Sequence, residues 1–269
     1  MAHAARESGL FALRVPTVGT PEVAEALAAR TPDLGVVVAF GQFIPKHIRE
    51  LPTLGYCING HASLLPRWRG AAPIAHAILA GDTRTGVTLM RLEREMDAGP
   101  VASQRAIEIT SEETTGELSE RLAKLTAEMV AEAVHEIAAG HTHWTPQSTE
   151  GVLLAPKLDR EQSRLDFRES AESLVRRVRA FSPSPGATVE WGDQALRIHS
   201  ARAEPGPVDT APGTVSLGGD SGLRIATRDG WFAPRVLQRP GRRPLEAPAF
   251  LRGHPIPDGA RFKPAPADG

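Results

Sequence analysis

Ile58-Asn59-Gly60-His61-Ala62-Ser63-Leu64-Leu65-Pro66-Arg67-Trp68-Arg69-Gly70-Ala71-Ala72-Pro73-Ile74 is the stretch on which the reading of this chain turns. An apolar strand ends in Asn-x-His and runs straight into a loop punctuated by Pro66 and Gly70. Residues two apart in a strand point to the same face, so Asn59 and His61 aim at one small volume. The first supplies an amide that can stabilise developing charge, the second an imidazole that can move a proton. A second loop, Met96-Asp97-Ala98-Gly99-Pro100, sets a carboxylate between apolar segments.

Working outward, Leu34 to Phe40 is a short, β-branched, uninterrupted apolar run, the mark of a parallel strand buried on both faces. Pro21 to Arg30 predicts a helix, with Val23, Ala24, Leu27 and Ala28 on one stripe. A helical turn over Pro45 to Leu51, a strand over Tyr56 to His61, a helix over Ala72 to Ala80 and a strand over Val87 to Arg91 follow. This alternation predicts an α/β domain with a mostly parallel sheet, whose ligands sit beyond the carboxyl ends of its strands. Thr114 to Ala139 is the longest helix, with Leu118, Leu122, Leu125, Met129 and Ala133 on its apolar face and Gly140 terminating it.

The character changes after about residue 150. A short helix over Ser170 to Ala180 precedes five short segments: Thr188–Trp191, Leu196–Ser200, Thr214–Leu217, Leu223–Thr227 and Trp231–Gln238. Gly192-Asp193, Gly218-Gly219-Asp220 and Asp229-Gly230 supply turn residues between them. Many short strands with Gly-rich turns predict a small barrel. The expected division is a first domain over 1–150, a linker over 151–168 and a second domain over 169–269, with an irregular Pro-rich stretch after Arg239.

The 269 residues carry a formal net charge of −1, which does not announce nucleic acid. The balance is uneven: 13 Lys and Arg face 18 Asp and Glu over residues 1–156, and 18 face 14 over 157–269. The mildly basic second part can help hold a polyanion. One cysteine, Cys57, precludes an internal disulfide and fits a reducing compartment, and its place in an apolar run reads as a buried structural thiol. No apolar run approaches a membrane span, and the first residues lack the apolar core of a signal peptide, so the expected setting is cytoplasmic with no membrane contact.

The Asn59-x-His61 strand end, the Arg67-Trp68-Arg69-Gly70 loop and the later Asp97 resemble the signature of the 10-formyltetrahydrofolate-dependent formyltransferases. Within that superfamily the chain is most similar to the branch that formylates initiator methionyl-tRNA. Ser163 to Phe167, Arg179 to Gly186 and Phe250 to Gly253 extend the resemblance to that branch's C-terminal domain, an OB-like β-barrel. The implied fold is a Rossmann-like formyltransferase domain with a mostly parallel sheet, followed by that barrel. The family normally starts with two strand–helix units and a basic loop, whereas Met1 to Glu7 matches the following helix. The expectation is an N-terminally truncated domain, about sixty residues short: a monomer if complete, and if truncated left with an unpaired sheet edge through which copies can associate.

The resemblance also implies roles. Asn59, His61 and Asp97 are the catalytic set. Phe40, Gly41, Gln42, Phe43 and Ile44, with Arg94, Glu95 and Met96 on the facing wall, hold the co-substrate 10-formyltetrahydrofolate. Ser63, Leu64, Leu65, Pro66, Arg67, Trp68, Arg69 and Gly70 contact the acceptor. No metal is expected: His141-Thr142-His143 lies just past a helix C-terminus, where a cation is electrostatically welcome. The arginines at 176, 177 and 179, and the Arg239–Arg243 run, can touch phosphates or stand as solvated faces. The competing expectations are an amino-sugar or small-amine acceptor, for which relatives usually read Lys-Tyr-Arg-Gly at the loop, and a degenerate, inactive homologue.

Overall fold

The computed structural model describes residues 2–192, 194–219 and 222–263. Asp193 and Asp220, expected in two turns, lie outside the described residues. In chain order the first elements are α1 (Ala2–Glu7), α2 (Pro21–Ala28), β1 (Gly35–Val38), α3 (Lys46–Arg49), β2 (Cys57–His61), α4 (Pro73–Ala80), β3 (Arg84–Arg91), β4 (Val101–Glu108) and α5 (Thr115–Ala138). Their strands form one sheet in the order β1-β2-β3-β4.

β1 and β2 are parallel, Val38 facing Gly60, so the segment after β1 and the segment after His61 leave the same end of the sheet. β3 runs antiparallel to β2, pairing Asn59 with Met90 and His61 with Thr88. The α/β class therefore holds, with the parallel pairing carried by β1 and β2. The expectation that the Leu34–Phe40 run is buried on both faces does not hold. β1 has a strand neighbour on one side only among the described residues, and its inner and outer positions alternate. Val36 and Val38 are 43% and 38% exposed, although they share a sheet face with Ile58 and Gly60 of β2. β4 escaped the sequence reading because it is mostly solvent-facing, with Ser103, Gln104 and Arg105 at its centre.

Gly60 shows why this strand end reads as it does. A Cβ built there would lie 2.6 Å from Thr126 Cγ2 of α5, so the helix passes directly over the glycine. Asn59 and His61 then project from the opposite face of the strand. α5 opens with a capping box: the Thr114 hydroxyl accepts from Glu117 N at 3.3 Å, and Glu117 Oε2 accepts from Thr114 N at 2.9 Å. It closes at Gly140, whose φ of +71° suits the left-handed position beyond a helix end.

The second group of elements is α6 (Ala171–Ala180), β5 (Ala187–Trp191), β6 (Gln194–Glu204), β7 (Val215–Ser216), β8 (Arg224–Ala226), β9 (Trp231–Gln238), β10 (Leu245–Glu246) and α7 (Ala247–Gly253). The six strands form a sheet in the order β5-β6-β9-β8-β7, with β10 on β9. Among the described residues it is an open antiparallel sheet and no strand pairing closes it into the expected barrel. Isolated bridges from Arg261 to Thr214 and from Lys263 to Glu190 span the two ends instead. Its core gathers Phe167, Leu174, Val178, Phe232, Phe250 and Phe262. The stretch after Arg239 is not irregular throughout: β10 and α7 lie in it, and Phe250 of α7 is fully buried.

Two compact units result. One holds the described chain up to Arg69, Val87–Arg105 and Thr126–Leu153; the other holds Gly70–Gly86, Ala106–Leu125 and the chain from Leu154 onward. Among the described residues no helix is long and apolar enough to cross a membrane.

Candidate active site

His61 is the best-anchored polar side chain at the end of β2, only 6% exposed. Its Nε2 lies 2.9 Å from the carbonyl of Trp68, to which it donates, and its Nδ1 lies 3.7 Å from Asp97 Oδ2. The carbonyl fixes Nε2 as the donor of that bond, and Nδ1 faces the Asp97 carboxylate at ion-pair distance. Asp97 comes to the imidazole on a loop that turns sharply back. Its backbone is left-handed, with φ +53°, and Gly99 packs so close to β3 that a Cβ would stand 2.0 Å from the carbonyl of Arg91. Only glycine fits that approach. Asn59 shares the His61 face, and its side-chain amide has no hydrogen-bond partner among the described residues. The arrangement offers an uncommitted N–H donor beside an imidazole–carboxylate pair.

The loop after β2 is held from below by residues that the sequence did not single out. Thr88, across from His61 on β3, donates to the carbonyl of Ser63 at 2.7 Å and accepts from Leu65 N at 3.1 Å. Gln104 on β4 donates to the carbonyl of Leu65 and to Thr88 Oγ1, both at 2.8 Å. Ser63 Oγ donates to the carbonyl of Arg67 at 2.6 Å, and the Leu65–Pro66 peptide is cis. Trp68, φ +63°, carries the guanidinium of Arg67 5.3 Å from its ring centroid. Arg69 turns inward, to Gln147 at 2.8 Å and Glu95 at 3.5 Å.

The expected folate wall is a mixture of open and committed groups. Phe40, Phe43 and Met96 are exposed apolar side chains, Phe43 by 66%. Ile44 packs with Val18, Val23 and Ile48. Gln42 is turned toward its own unit, accepting from Val18 N at 3.0 Å and donating to the carbonyl of Pro16 at 3.3 Å, which leaves its backbone for any ligand. Arg94 is exposed, and Gly41 sits at φ +72° in the turn. Cys57, two residues before Asn59, is buried; its thiol donates to the carbonyl of Arg49 at 3.3 Å, and burial pushes its pKa up. It is an inert packing group.

The arginines at 176, 177 and 179 are engaged within the structure. Arg176 donates to the carbonyl of Leu79 at 3.2 Å, Arg177 pairs with Glu169 at 2.6 Å, and Arg179 donates to the carbonyl of Glu113 at 2.9 Å. These three hold elements of the second unit together. His141 pairs with Glu136 at 3.8 Å on an exposed surface.

Two family models and several known proteins match this chain. The family model described as formyl transferase matches residues 3–134, and the formyl transferase C-terminal domain matches 157–255. A methionyl-tRNA formyltransferase of Xanthomonas campestris is 45% identical over 90% of this chain and 79% of its own. One of Delftia acidovorans is 42% identical over 91% and 75%. Among solved structures, HypX from Aquifex aeolicus in complex with tetrahydrofolic acid aligns with a TM-score of 0.63 at 24% identity, covering 86% of this chain and 41% of that one, a likeness of fold. With both domains matched and the Asn59–His61–Asp97 arrangement inside the first, this chain belongs to the formyltransferase family.

Proposed function

We propose that this protein transfers a formyl group from 10-formyltetrahydrofolate to the amino group of methionyl-tRNA. The acceptor follows from relatives of that name at 42–45% identity over about nine-tenths of the chain. The Trp68-containing loop, rather than the Lys-Tyr-Arg-Gly of sugar-directed relatives, agrees with it. The chemistry is carried by one observation: the His61–Asp97 pair stands beside the uncommitted amide of Asn59. On this reading residues 1–150 form the catalytic domain, 151–168 the linker and 169–269 the C-terminal domain. On this reading the reaction is a cytoplasmic one.

The steps follow from the groups present. The acceptor amine attacks the formyl carbon, and the carbonyl oxygen becomes an oxyanion in the tetrahedral intermediate. Asn59 donates its side-chain N–H to that oxygen, where a positioned donor is worth most. The bond from the formyl carbon to the folate nitrogen then breaks. The amine loses one proton and the folate nitrogen gains one, and His61 carries it. In the resting geometry Nε2–H is held by the Trp68 carbonyl, so the incoming substrate displaces that carbonyl to reach the ring. Asp97 keeps the imidazole oriented throughout. Phe40, Phe43 and Met96 supply apolar surface for the pterin, and backbone groups of Gly41 and Gln42 read its donors and acceptors. The test is transfer of labelled formyl from 10-formyltetrahydrofolate to methionyl-tRNA, by the native chain and by His61→Ala.

A further inference from the structure

Three segments meet at Gln147. Its Nε2 donates to the carbonyls of Asp97 at 2.8 Å and Gly99 at 2.9 Å. Its Oε1 accepts from Arg69, Nε at 3.2 Å and Nη2 at 2.8 Å. Two carbonyls on one side and a guanidinium on the other leave one orientation of the amide that satisfies all four contacts. The glutamine stands on a rigid base. Thr145 exchanges two backbone hydrogen bonds with Val101, at 2.8 and 2.9 Å. The neighbouring Trp144 ring has the Arg91 guanidinium 4.3 Å from its centroid, and the Tyr56 ring has the same guanidinium 4.1 Å from its own.

Asp97 and Trp68 are both left-handed without being glycine, a conformation that L residues keep only when their surroundings over-determine it. Each has its carbonyl captured, that of Trp68 by His61 and that of Asp97 by Gln147. The contacts close a ring. The Asp97 carboxylate faces His61, His61 binds the Trp68 carbonyl, Trp68 is bonded to Arg69, Arg69 binds Gln147, and Gln147 returns to the Asp97 backbone.

The geometry points to Gln147 as a positioning residue for formyl transfer, closing the ring that holds the Asp97 carboxylate against His61. This rests on the reading of His61 and Asp97 as the proton-handling pair. Gln147 keeps Asp97 and Arg69 in place while the Trp68 carbonyl yields to substrate. A misplacement of about 1 Å at a reacting group costs on the order of a hundredfold in rate, so a residue that touches no reacting atom still registers in turnover.

Gln147→Glu separates the two sides of the contact. It keeps an acceptor for Arg69, removes both N–H donors and sets a carboxylate oxygen against two carbonyls. The experiment is single-turnover formylation of methionyl-tRNA by the full chain, with thermal unfolding of each variant. The forms compared are native, Gln147→Glu, Asp97→Ala and the double variant. Gln147→Glu is expected to slow transfer on the order of ten- to a hundredfold, with half-saturating concentrations of both substrates moved less than about threefold. In the Asp97→Ala background the same change should add less than about twofold, because the group it positions is gone. If Gln147→Glu fails to fold, Gln147→Met, similar in length and uncharged, takes the same test. Equal losses in both backgrounds overturn the proposal, as does a native rate in the single Gln147 variants. Asp97→Ala at the native rate overturns instead the reading of the pair, and with it the inference.

Discussion

On the proposed reading, Asn59 and His61 of one strand, and the Asp97 carboxylate that folds back to 3.7 Å from His61, carry the chemistry. Removing the imidazole in His61→Ala should lower kcat by about 10²–10⁴, the usual worth of a positioned general acid–base, while folate affinity stays within a few-fold. Titration of the folate against the variant checks this, and an equal loss of folate binding would contradict a proton-transfer role. Asn59→Ala should lose on the order of 10²–10³ in kcat, as loss of an oxyanion donor does. At this scale the shared face of Asn59 and His61 was legible because a strand's period is two. Asp97 was legible through family resemblance alone, since nothing local predicts a left-handed loop that returns 36 positions later. Thr88, Gln104 and Gln147 were not legible. Each is an ordinary polar residue whose partners are supplied by distant segments, Gln147 and Arg69 lying 78 positions apart.

Elements explain how those residues are held. Gly60→Ala forces a methyl into a 2.6 Å approach to Thr126, and overpacking of this kind costs about 1–3 kcal/mol. Chemical denaturation measures it, and a change below about 0.5 kcal/mol would show that α5 does not bear on β2 as described. At the other end of the same helix, Thr114→Ala removes the cap and should cost about 1 kcal/mol. The backbone N–H of Thr114, then its hydroxyl, hold the Glu117 carboxyl below the usual carboxylate range. A group depressed in the folded state contributes stability above its unfolded pKa and loses it as pH falls through the folded value. The advantage of native protein over Glu117→Gln should therefore be present at neutral pH and fade in acid below the ordinary glutamate range. A gap that is constant with pH would contradict the capping box. The long, strongly periodic α5 was legible from its leucines, whereas β4 was hidden by polar residues and the exposure of β1 by its apolar ones. Apolar content shows what a strand can bury, not whether the chain supplies a cover.

For the molecule as a whole, alternating strands and helices followed by short Gly-punctuated strands foretold an α/β part and a β part, and that division of character is what the fold displays. The open second sheet was not foreseen, because closure depends on which edges pair and not on the number of strands. Nor was the interlacing of the two compact units, which exchange chain at residues 69/70, 86/87, 105/106, 125/126 and 153/154. The basic balance of the second part looked available for a polyanion, yet Arg176, Arg177 and Arg179 are committed to their own unit. The recognition of an acceptor is therefore the claim on which the account rests. The most direct measurement offers labelled 10-formyltetrahydrofolate to the 269-residue chain, in enzyme excess, with methionyl-tRNA and a nucleotide-linked amino sugar in separate reactions. The account predicts that label appears on methionyl-tRNA, that the amino sugar stays unlabelled and that His61→Ala abolishes transfer. Label on the amino sugar with none on methionyl-tRNA, or transfer to methionyl-tRNA that survives His61→Ala unchanged, would contradict it.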